Sequence, residues 1–134
     1  MTLRRKSREF ALQMLFEWDM TRQDTSRVEK LFWKSARAAA STRDFANELF
    51  EGAVAQAGDI DALVGKLAEN WRLDRLAAID RGILRLAIYE MRGGATPAKV
   101  VIDEALELAK KFSSAEAPAF LNGVLDAAMK DLAK

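Results

Sequence analysis

Between Leu76 and Met91 the chain places Ile79, Ile83, Leu84, Leu86, Ala87 and Ile88, so a helix there is apolar around most of its girth. Such a helix must be covered on several sides, and the other segments must wrap it. They have the spacing to do so. Apolar residues recur at three- and four-residue steps nearly everywhere, and no run alternates as a strand would. Only two prolines occur, Pro97 and Pro118, and both suit the first turn of a helix.

This periodicity predicts seven helices. The first runs from about residue 4 to 20, with Phe10, Ala11, Met14, Leu15 and Trp18 as its stripe. The second opens at Ser26-Arg-Val-Glu29, a capping-box pattern. The third follows Ser41 or Thr42. Gly58 reads as its stop and Asp59 as the cap of the fourth, which carries Ile60, Leu63, Val64 and Leu67. The fifth spans about Asp74 to Arg92 and ends at Gly93-Gly94, and Thr96-Pro97 starts the sixth. Ser113-Ser114 separate it from the seventh, where Gly123 reads as a point of close approach by a neighbour. The expectation is an all-α bundle in two packed helical subdomains, about 1–57 and about 59–134, forming a single domain over 1–134.

The residue inventory points away from catalysis. The chain has no histidine and no cysteine, and so lacks the usual zinc ligands, the usual general base and the best nucleophile. No phosphate-cradling glycine loop or serine elbow is present. No catalytic residue, metal or cofactor is expected. No apolar run reaches membrane-spanning length, and acids follow the basic N-terminus at once, so neither a span nor a signal peptide is expected. A cytoplasmic location suits a chain without cysteines.

Charge is distributed unevenly. Residues 1–8 hold four cations, Arg4, Arg5, Lys6 and Arg8, and no acid, while the rest holds 17 cations against 20 acids. Cations at a helix start oppose the macrodipole. A solvated face explains them in one reading. In the other an RNA backbone meets the arginines and the free helix N–H groups together.

Four ordered stretches carry a resemblance. They are Arg8-Glu9 leading into Ala11-Leu12-Gln13-Met14-Leu15-Phe16 with Trp18; Ile83-Leu-Arg-Leu-Ala-Ile-Tyr-Glu-Met91; Thr96-Pro97 with Ile102-Asp-Glu-Ala-Leu-Glu-Leu-Ala-Lys110; and Phe120-Leu-Asn-Gly-Val-Leu-Asp126. Together they resemble the bacterial transcription antitermination factor NusB family. The resemblance implies a non-catalytic RNA-binding protein that pairs with NusE, a small-subunit ribosomal protein. It binds single-stranded boxA-type RNA of ribosomal RNA leaders, and helps the RNA polymerase elongation complex read through terminators. The alternative is a helical accessory module of the same fold with only non-specific RNA affinity.

The resemblance also assigns residues. Arg4, Arg5, Lys6 and Arg8 match the family's basic start. Phe16 stands where tyrosine is common near RNA, keeping a stacking face but no hydroxyl. Asp80 and Glu116 fall at positions near the RNA or partner surface, with Asp80 on the partner side. Lys99 is either a phosphate contact or an exposed structural lysine. Asn122 is read mainly as a buried or capping hydrogen-bond former, with base recognition as the alternative. Where the family supplies serine and lysine near the last helix, Ala117 and Ala119 stand here. Trp18, Trp33, Trp71 and Tyr89 read as core, and Glu104 with Glu107 as ordinary exposed acids three residues apart.

Overall fold

The computed structural model describes residues 3–68 and 76–134. Among them seven helices and no strand are present: α1 (Leu3–Thr21), α2 (Thr25–Ser35), α3 (Ala40–Ala55), α4 (Ala57–Leu67), α5 (Ala78–Gly93), α6 (Ala98–Phe112) and α7 (Ala117–Leu132). The all-α expectation holds. Trp71 and Asp74 lie outside the described residues, but the fifth helix begins at Ala78, behind the extended N-cap Ala77 at φ −60° and ψ 144°, and not near Asp74 as expected.

As its sequence requires, α5 is the central element, packed against α1, α3, α4, α6 and α7. Its Gly82–Ile88 stretch is buried throughout, including Arg85. One apolar cluster runs from Phe10 and Met14 of α1 through Phe50 of α3 and Ile83 and Ile88 of α5 to Leu121 and Leu125 of α7. Trp18, Trp33 and Tyr89 pack against this cluster, as core aromatics do.

Three boundary readings need correction. The N-cap of α2 is Asp24, not Ser26. The Ser26 hydroxyl donates to the Asp24 carboxylate from inside the helix, and Glu29 turns towards α3 instead of back to the cap. Gly58 does not stop α3. That helix ends at Ala55 and the single residue Gln56, at φ −102° and ψ 7°, joins it to α4, a conformation that needs no glycine. Pro97 is the N-cap of α6 instead of its first residue, with its carbonyl accepting from Val100 and Val101. The stop at Gly94 is as expected, at φ +74°.

The close approach falls on a different glycine. A Cβ on Gly123 would meet nothing within 4 Å, whereas one on Gly52 would lie 2.0 Å from Cζ of Tyr89. Gly52 therefore lets α3 seat the Tyr89 ring of α5 against its backbone.

Candidate nucleic-acid interface

α1 and α5 run antiparallel, and each carries charge of the wrong sign for its own dipole. Arg8 sits near the start of α1 and Glu90 near the end of α5, and Arg8 grips Glu90 through Nε–Oε1 at 2.9 Å and Nη2–Oε2 at 2.6 Å. At the other end Asp19 of α1 accepts from Arg81 Nη2 at 2.7 Å and Arg85 Nη1 at 3.1 Å. Arg85 also holds Asp61 of α4 at 2.9 and 2.8 Å. Each helix thus offsets the other's misplaced charge. The burial of Asp19 pushes its carboxyl up, but the hydrogen bonds from Arg81 and Arg85 outweigh this and hold it below the ordinary value.

This arrangement divides the basic segment. Arg8 is 5% exposed and faces inward to Glu90, with Nη1 3.4 Å from Glu104 of α6. Arg5 forks onto Glu104 at 3.2 and 2.7 Å, and this pairing holds the Glu104 carboxyl below its usual range. Glu104 is therefore a half-buried partner and not the ordinary exposed acid expected beside Glu107. Arg4 and Lys6 remain exposed. The Arg4 guanidinium lies 4.3 Å from the Phe45 ring centroid, and Lys6 Nζ lies 4.8 Å from that of Phe10. Ser7 donates to the Thr42 carbonyl at 2.9 Å, pinning the start of α1 to the start of α3.

A cleft of about 280 Å³ runs between α1 and α6 beside these residues, with Arg5, Glu9, Lys110 and Lys111 on its walls. Lys111 Nζ is 2.9 Å and Lys6 Nζ 3.7 Å from the buried Glu9 carboxylate. Lys110 and Lys111 escaped the sequence reading because only the fold brings the end of α6 to this side of α1.

The remaining candidates are distributed over α1, α5, α6 and α7. Lys99 is exposed in the first turn of α6, five residues before Glu104, about 7.5 Å along the axis. Phe16 is half-buried on α1, seven residues beyond Glu9 and so on the same face. Asp80, in the first turn of α5, accepts from Ser113 Oγ at 2.6 Å and thereby ties the α6–α7 junction to α5. Glu116 is exposed at the N-cap position of α7 and makes no side-chain cap. Asn122 is exposed on α7, not buried or capping as expected, because the buried face of that helix is taken by Leu121, Val124 and Leu125.

Residues 5–130 match the NusB family. The chain belongs to the NusB family. It is 50% identical over 131 residues to the transcription antitermination protein NusB of Koribacter versatilis, covering 96% of this chain and 90% of that one. Among solved structures it superposes on T. maritima NusB with a TM-score of 0.86 at 31% identity, covering 97% of this chain and 92% of that one. It also resembles a chain in a complex of the antitermination factors NusB and NusE with double-stranded RNA, at a TM-score of 0.84 and 26% identity, with 98% of each chain covered. The NusB family is one of non-catalytic antitermination factors, and this protein is not an enzyme.

Proposed function

We propose that this chain, acting as a single RNA-binding domain, joins NusE on boxA-type RNA of ribosomal RNA leaders in the cytoplasm and helps the RNA polymerase elongation complex read through terminators. The observation that carries this reading is the pair of exposed cations at the start of α1. Both lie on aromatic rings; Arg4 makes no ion pair among the described residues, and Lys6 can meet a phosphate without stranding Glu9, whose carboxylate is held more closely by Lys111, at 2.9 Å against 3.7 Å. In this reading Arg5, Phe16, Lys99, Glu116 and Asn122 also meet the RNA and Asp80 the partner, which the likeness to the NusB family supports. Arg8 serves this surface indirectly, by fixing α1 against Glu90.

The test is a titration of a boxA-type RNA and a scrambled RNA of equal length, with and without NusE. The matched RNA is expected to bind more tightly, and NusE to widen the difference. Equal binding of both RNAs under both conditions would leave a helical accessory module with non-specific affinity.

A further inference from the structure

Residues 25–43 hold a second concentration of positive charge: Arg27, Lys30, Lys34, Arg37 and Arg43 stand against a single acid, Glu29. Among the described residues none of these five cations makes an ion pair, in contrast to Arg5 and Arg8. The fold gathers three of them round an open groove of about 420 Å³ between α2 and α3, within the size range of ordinary ligand sites. Lys30 and Lys34 stand one turn apart on α2, and Arg43 faces them from α3. Trp33 lies between, held by its Nε1–H donating to Asn47 Oδ1 at 2.8 Å. The Arg43 guanidinium is 5.0 Å from the Trp33 ring centroid.

The groove is continuous with the start of α1. Trp33 packs edge-on to Phe10 at 5.2 Å, and Lys6 lies over Phe10. Arg4 lies over Phe45, two residues beyond Arg43. Glu29 is the single acid lining the groove, against three cations. Burial, then the neighbouring carboxylates Glu51 and Asp24, push Glu29 up to about 8, so it is uncharged near neutral pH.

Unpaired cations beside an aromatic ring and a guanidinium plane suit a single nucleic acid strand, whose phosphates meet the charges and whose bases stack. We propose that the α2–α3 groove is a second RNA subsite, receiving on Lys30, Lys34 and Arg43 the nucleotides that flank the segment held at the start of α1. This rests on the RNA-binding function proposed above and extends the path of the strand.

The test uses the full chain with NusE and two labelled RNAs, a boxA-type element alone and the same element extended on both sides. The extended RNA is expected to bind more tightly, with a steeper dependence of log affinity on log salt. The variant K30Q/K34Q/R43Q is expected to abolish that gain, lowering the slope by about two for three lost phosphates at roughly 0.7 each, and to leave the short element unaffected. An R4A/K6A variant is expected to weaken both RNAs. Should R43Q disturb the Trp33 packing, seen as lost helical circular dichroism, the exposed pair K30Q/K34Q gives the same reading with a slope change of about 1.4. An extended RNA that binds no tighter than the short one, or groove variants that keep the parent slope, overturn the subsite and leave the proposed function standing. Groove variants that lose NusE instead of RNA make the groove a protein surface and overturn it as well. A parent that binds neither RNA overturns both proposals.

Discussion

Removing the guanidinium of Arg8 leaves the Glu90 carboxylate, whose side chain is 8% exposed, without its bidentate partner. Breaking a buried pair from one side typically costs about 3–5 kcal/mol. Arg8→Ala is therefore expected to lower stability by that order in chemical denaturation, whereas Arg4→Ala, which gives up one exposed ring contact, should cost about 1 kcal/mol or less. A stability loss for Arg8→Ala no larger than that for Arg4→Ala would contradict the structural role. The sequence made these two arginines look alike, because the acid that claims Arg8 lies 82 residues away. At Glu29, folding raises the carboxyl from an ordinary value near 4.5 to about 8. Between those values the folded chain keeps a proton that the unfolded chain has released. The contribution of Glu29 is thus complete below about pH 4.5 and is lost as pH rises towards 8. Glu29→Gln is expected to remove that decline, seen as a flatter midpoint between pH 5 and 8, and a profile identical to the parent's would refute it.

At the scale of helices, the apolar stripes and most ends were legible because they depend on residues within one or two turns. Gly94 shows this, since a left-handed stop requires glycine wherever the helix lies. The misread Gly123 and the overlooked Gly52 show the limit. Both Gly52 and Gly123 sit inside helices, and nothing in their neighbours along the chain tells which one faces a ring. Gly123→Ala should raise stability by about 1 kcal/mol through helix propensity alone. Gly52→Ala should lower it by about 1–3 kcal/mol through overpacking on Tyr89. In a Tyr89→Ala background that penalty is expected to vanish, so the double-mutant cycle reads out the α3–α5 approach directly. Additive losses would place the cost elsewhere.

Across the whole molecule, the ion pairs of α1 tie it to three other helices. Arg8–Glu90 and Asp19–Arg85–Asp61 connect α1 to α5 and α4, and Arg5–Glu104 connects it to α6. Asp19 and Glu104 have folded values held below those of the unfolded chain. Their contribution is complete above the unfolded carboxylate range and is lost as pH falls below about 4 towards the lowered values. Asp19→Asn is expected to lower stability at neutral pH and flatten the acid limb of an unfolding profile. An acid limb as steep as the parent's would exclude Asp19 as a contributor.

The sequence by itself determined the helical class, the central place of α5 and the family, because each follows from local periodicity or ordered motifs. Only the tertiary structure decided which cations face solvent. A charge pattern along the chain gives the sign of a segment, but its free charge depends on carboxylates brought up from other helices. Glu90 takes Arg8 inward and Glu104 engages the half-exposed Arg5, while no such partner among the described residues reaches Lys30, Lys34 or Arg43.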